Sequence, residues 1–195
     1  MTDSFKKVNI FPWIILLMMF LLMLGSVWND SATMDELAHL PAGFGYVKEL
    51  DFRLNPEHPP LLKVMAALSG QIFVRPYFPT NTAYWQNDVN GQWAQGAVFL
   101  YESGNDADKI IFWSRLPMIL LTIFFAWLLY HYVRKRFSNA AAVLALLFFA
   151  FSPTFLTHGK YVTTDVGAAF GFFIGIIFFI KFLEAPTRNN ILTAG

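Results

Sequence analysis

The chain of 195 residues is 56% apolar, with 22 Phe and six Trp, and only 14% charged, where an average soluble domain carries about a quarter. With a mean hydropathy of +0.46, this balance excludes a disordered chain, a collagen-like fibre and a secreted disulfide scaffold, and it argues against an ordinary soluble globule. A formal net charge of +1 supplies no global basic field for nucleic acid, and the absence of Cys removes disulfides, thiolate catalysis and thiolate metal sites.

A bilayer core about 30 Å thick takes about 20 apolar helical residues. Taken in chain order, residues 10–28 contain the run IILLMMFLLMLG without a charge. Residues 110–133 form a second stretch, interrupted by Arg115 near one end and His131 near the other. A shorter third covers 140–157, and a fourth covers 166–183, where Lys181 is placed to snorkel. A chain of this size cannot bury all of these without lipid, so the expectation is an all-α integral membrane protein with about four spans. The first apolar run exceeds a secretory h-region of about 7–15 residues and no A-x-A site follows it, which predicts an uncleaved signal anchor. If the spans alternate, Lys6, Lys7, Arg134, Lys135, Arg136 and Arg188 fall on one side, predicted to be cytoplasmic. Residues 29–109 then form a long first extracytoplasmic loop, and the turn around 157–165 lies on the same outer side.

That loop is predicted to carry interfacial helices. Thr33 is placed to cap a helix whose first turn holds Asp35 and Glu36, where acidic groups suit the helix dipole. Pro41 marks a break or the start of a second segment. The prolines at 56, 59 and 60 forbid regular helix over 55–60. Leu61 to Val74 reads as an amphipathic helix at the outer interface, and 76–105 as an irregular surface segment with one helix around Trp93 to Tyr101.

Several groups of residues have the types and spacing for chemistry. Asp35 and His39 stand one helical turn apart, and Glu36 and His39 are three apart, so both pairs share a face. This suits a general base with an orienting partner, or two metal ligands, which are too few for a site; it equally suits a capped helix start with solvated charges. In LNPEHPPLLK the prolines hold Glu57 and His58 in an extended segment of low entropy, fit either for a substrate-binding turn or for a plain connector. In THGKYVTTD, His158, Lys160 and Asp165 concentrate ionisable groups at the bilayer surface, where function is common but where any outer loop is polar. Arg115, in FWSRLP, either snorkels to the headgroups or holds a lipid phosphate in its planar fork. Asn29-Asp30-Ser31 matches a glycosylation triplet of a kind frequent by chance, and Gly167, Gly171 and Gly175 have the small-xxx-small spacing of close helix packing. No Gly-rich phosphate loop and no G-x-S-x-G elbow is present.

Taken together, Asp35-Glu36 early in the first outer loop, DFRLNPEHPPLLK, SRLP opening the second span and TTD in the second outer loop resemble the N-terminal part of the C-type glycosyltransferases, closest to glycosyltransferase family 39. That family includes protein O-mannosyltransferases and aminoarabinose transferases that modify lipid A. The resemblance is most specific over 31–68 and weakest over 77–106. It implies an N-terminal transmembrane bundle of the C-type glycosyltransferase kind, multi-pass in a bacterial plasma membrane with its active face outward. The partners implied are membrane lipids, a polyprenyl-phosphate sugar as donor, and a protein or lipid acceptor, with no nucleic acid.

By resemblance, Asp35 is the catalytic carboxylate that takes the proton of an acceptor hydroxyl in an inverting single displacement. Glu36 and Asp165 complete the catalytic set. His39, Glu57, His58, Arg115 and Lys160 bind substrate, with Arg115 countering charge on the leaving phosphate. No metal ligand set is assigned; members of the family differ in whether a divalent cation takes part. Family members are also more than twice this length, so the expectation is a truncated N-terminal portion of a transferase, or one chain of a split enzyme whose companion carries the missing spans. The competing reading is a non-catalytic membrane subunit that binds a polyprenyl phosphate or a partner enzyme.

Overall fold

The computed structural model describes residues 10–88 and 91–194. Lys6 and Lys7, part of the expected cytoplasmic charge cluster, lie outside them. All regular structure among the described residues is helical. In order it comprises α1 (Phe11–Val27), α2 (Met34–Lys48), α3 (Pro60–Phe73), α4 (Ala83–Gln86) and α5 (Gln92–Ala97), the last running into a π-helical turn, Val98–Glu102. There follow α6 (Ala107–Arg136), α7 (Asn139–Ala150), α8 (Pro153–His158), α9 (Asp165–Glu184) and α10 (Arg188–Ala194). Helices α6 and α9 are long and apolar enough to cross a bilayer, while α1, α3 and α7 are shorter apolar helices.

Two apolar cores share one spine. At 30 residues, α6 is about 45 Å long, well beyond the hydrocarbon thickness of a bilayer. Its first part (Ile110, Ile111, Met118) packs with Leu40 and Phe44 of α2, Ala66 and Ala67 of α3, and Phe78, Trp85, Phe99 and Leu100 of the loop. Its later part (Ile119, Phe125, Ala126, Tyr130) packs with Ile15, Met19 and Met23 of α1 and with Ala142, Leu146 and Phe149 of α7. Met19, Met23, Phe44 and Phe99 are wholly buried, which is how a short chain concentrates its apolar contacts. In contrast, α9 buries only Val166 and exposes Phe172, Ile176, Phe179 and Leu183, so most of its apolar surface is left unpacked by the described residues.

Several expectations change in detail. The stretch 140–157 is two helices and not one, because Ser152-Pro153 interrupts it: Pro153 offers no amide to the previous turn and starts α8 at its first position. Pro41 does not break α2, which runs through it to Lys48. It lies in the second turn of a helix held by the packing of Leu40, Ala42 and Phe44, and that burial overrides the local penalty. The segment 76–105 is not merely a surface loop, since Phe78, Trp85, Phe99 and Leu100 belong to the core shared by α2, α3 and the start of α6. Its scattered aromatics have no helical or strand period, so only the packed structure reveals them as core.

Helices α2 and α3 approach closely at Gly43, where an added Cβ would lie 2.3 Å from the Lys63 carbonyl oxygen. Gly43→Ala should therefore destabilise the protein by about 1–3 kcal/mol, the usual cost of overpacking. Gly171→Ala, where no atom lies within 4 Å of an added Cβ, should instead raise the thermal midpoint in detergent slightly, since alanine favours the helix interior by up to about 1 kcal/mol.

Candidate functional site

The site is built on a buried ion cluster. Thr33 caps α2 in a capping box, its hydroxyl accepting from the Glu36 amide while Glu36 Oε2 accepts from the Thr33 amide at 2.9 Å. That cap holds the Glu36 carboxylate against α6. There Arg115 Nε donates to Oε1 at 2.8 Å and Nη2 to Oε2 at 2.6 Å, with both side chains wholly buried. The Val162 amide donates a further bond to Oε1 at 3.0 Å. Arg115 also donates through Nη1 to Asp30 Oδ2 at 3.1 Å and through Nη2 to the Ser31 carbonyl at 2.8 Å. Lys160 Nζ donates to the same Asp30 oxygen at 2.9 Å and to the Ser26 carbonyl at 3.0 Å. The Tyr161 ring lies against both cations, 4.8 Å from the Arg115 guanidinium and 4.9 Å from the Lys160 ammonium.

Two cations and two carboxylates make this cluster neutral overall. It joins the end of α1, the start of α2, the outer part of α6 and the 159–164 turn. Each buried charge is paired and its remaining hydrogen-bonding capacity is used, the condition under which burial is tolerated. Arg115 therefore points into the protein. Burial acts to raise the Asp30 carboxyl, but Lys160 and Arg115 outweigh it and hold it below the usual carboxylate range.

The rim is different. Asp35, next to Glu36 in sequence, is exposed on the first turn of α2, and no ion pair engages it among the described residues. His39, one turn further, is 5% exposed and its ring centroid is 5.1 Å from that of His58. Burial, together with the charges of His58 and Lys63, pushes the His39 imidazole down to about 4, against the opposing pull of Asp35 and Asp165. Both of those carboxylates are thus near enough to act on one imidazole. Asp165, at the start of α9, faces His158 at 3.4 Å. Glu57 stands apart from this group: its Oε1 accepts from Gln92 Nε2 at 2.9 Å and Asn55 Nδ2 at 3.0 Å, and these bonds hold it below the usual carboxylate range. Among the described residues no three His, Asp or Glu side chains converge as a metal site.

The fold thus gathers Asp35, His39, His58, His158 and Asp165 at one rim, and places Glu36, Arg115 and Lys160 in the cluster beneath. Three participants were not singled out from the sequence. Asp30 figured only inside a glycosylation triplet, although an acidic residue directly after an apolar span, facing an Arg inside the next one, is a usable signal. Lys63 and Tyr46 were absorbed into apolar helical patterns. Lys63 is wholly buried, and burial pushes its ammonium down to about 8, with Glu57 opposing. Burial also pushes the Tyr46 hydroxyl up to about 12.

A family model described as dolichyl-phosphate-mannose-protein mannosyltransferase matches residues 13–194. No curated protein sequence and no solved structure matches the chain significantly.

Two outcomes follow from this electrostatic layout. Arg115→Met leaves the Glu36 carboxylate buried without its partner and should cost about 3–5 kcal/mol. The double variant Arg115→Met/Glu36→Gln should recover much of that loss in thermal unfolding. Second, an imidazole at about 4 in the fold and about 6.5 unfolded binds fewer protons folded than unfolded between those values. The stability it permits is complete above pH 6.5 and falls as the pH drops toward 4, by about 3 kcal/mol in all. His39→Gln should flatten that part of the stability–pH curve.

Proposed function

Because the chain belongs to the dolichyl-phosphate-mannose-protein mannosyltransferase family, a family of integral membrane glycosyltransferases, we propose that it moves a sugar, mannose or a related hexose or pentose, from a polyprenyl-phosphate carrier to a hydroxyl of a protein or lipid acceptor. In this reading the reaction takes place at the outer face of the membrane. The observation that carries it is the opposite fate of two adjacent carboxylates. Glu36 is buried with both oxygens engaged, whereas Asp35 is exposed one residue earlier on a helix turn that Glu36 immobilises.

Asp35 is the base. The acceptor oxygen attacks the anomeric carbon, the bond from that carbon to the phosphate oxygen breaks with its electron pair, and the acceptor proton passes to Asp35. The displacement is single and inverting, and the phosphate is a leaving group good enough to need no covalent intermediate. Glu36 acts through position, by fixing the first turn of α2. His58 and His158 meet the substrates at the rim, and Asp165 orients His158 at 3.4 Å. The neutral His39 supplies a hydrogen-bonding imidazole beside His58 that adds no cation to the site at neutral pH. Arg115 and Lys160 bind no phosphate directly while they hold Asp30 and Glu36; their part is to lock the two outer turns together, so that Asp35 and Asp165 face a common space.

Asp35→Asn removes the base without changing side-chain volume. It should lower transfer from dolichyl phosphate mannose to a Ser/Thr peptide by about 10²-fold or more, with the melting midpoint unchanged because Asp35 is exposed. Full transfer by that variant would overturn the assignment. Glu36→Gln should instead lower the melting midpoint together with activity.

A further inference from the structure

The most unusual group outside the ion cluster is a lysine with no exposure at all. Lys63 lies near the start of α3, and its stem runs into the outer core toward α2. Its ammonium donates to the Asn55 carbonyl at 2.7 Å, to Asn55 Oδ1 at 2.9 Å, to the His58 carbonyl at 2.8 Å and to the Tyr46 hydroxyl at 2.9 Å. Three protons are shared among four oxygens. The Tyr46 hydroxyl can accept because its own proton is given to the Leu54 carbonyl at 2.6 Å, and its ring faces the ammonium at 4.9 Å. Every polar atom around the charge is therefore used, and none of its partners is a carboxylate.

The partners are not scattered. The carbonyls of Asn55 and His58 stand on either side of the tip formed by Pro56 and Glu57, and both are pinned to one atom. Asn55 adopts φ 51°, a left-handed conformation that Asn tolerates better than most residues. Its side chain completes the arrangement by accepting from Lys63 and donating to Glu57. Prolines at 56, 59 and 60 would already stiffen a plain connector. A buried charge that additionally fixes the rotation of the tip is needed only if what the tip presents must be held. It presents Glu57 toward Gln92 and the exposed His58 beside His39.

We infer that Lys63 is a positioning residue: from beneath the 55–59 turn it sets the place of the His58 imidazole against α2, and so couples the rim carried by Asp35 and His39 to the proline-bounded turn. The reaction it serves rests on the transferase reading above; the latch itself rests on geometry alone.

The test uses the whole chain in nanodiscs, with Lys63→Met, which keeps the stem and removes the ammonium, and Tyr46→Phe, a smaller cut at the same node should the first variant fail to fold. Amide exchange at Asn55, Glu57 and His58 should quicken at least tenfold in the variant, with α6 and α9 unaltered. Transfer from dolichyl phosphate mannose should fall severalfold in Lys63→Met. That fall should vanish in a His58→Ala background, because a residue acting only through His58 has nothing left to position. Unchanged exchange at the turn overturns the proposal, as does a loss of transfer that multiplies undiminished onto that of His58→Ala. If the wild-type chain transfers no sugar from this donor, the transferase reading fails by itself and the exchange measurement alone decides the latch.

Discussion

The half of this protein that holds α2, α3 and the start of α6 is organised around one buried ion pair, Glu36 with Arg115. An arginine wholly removed from solvent, on a helix that enters the bilayer, is tolerable only where its charge is matched and its donors are satisfied. Glu36 supplies a bidentate match, and Asp30 and the Ser31 carbonyl take the remaining donors. Because these partners come from different parts of the chain, satisfying one guanidinium dictates where α2 begins and how it meets α6. The Val162 amide on Glu36, and Lys160 on Asp30, extend the same constraint to the second outer turn.

This arrangement separates charges that build from charges that remain available. The cluster is neutral overall, and both of its cations are occupied by carboxylates within it. What it provides is placement. Asp35 stays exposed on a turn whose other carboxylate is immobilised, and Asp165 opens α9 directly after the turn that Val162 anchors. A capped helix start tied to a long apolar helix holds such an exposed group in a fixed position.

The helix α6 makes this possible by its length. Its first turns belong to one core and its later turns to another, so the site rests on the same rigid helix that joins the two cores. On the other side of α2, Gly43 lets α3 approach until Lys63 reaches beneath the 55–59 turn. The rim is thus held from two sides, by a neutral ion cluster and by a lysine bound only to neutral oxygens.

Much of this was legible in the sequence, and for definite reasons. Apolar length alone announces α1, α6 and α9, because a bilayer imposes a minimum span. The Thr33 cap with Glu36 three residues on is a local motif, and it appears as a complete capping box. The break before α3 follows from proline geometry, although Pro60 itself opens that helix, where the missing amide costs nothing. The adjacency of Asp35 and Glu36 marked both as candidates, but their different fates were not readable there. Which of two neighbouring carboxylates is buried depends on where Arg115 lies, 79 residues further on. The same holds for Lys63, which in a helical pattern looks like one polar position among apolar ones and proves to be wholly buried. Local propensity and hydropathy determined the elements and the residues from which a site is made. Only tertiary packing, which decides which polar groups lose water and must therefore find partners, determined which of those residues hold the site together and which are left to act.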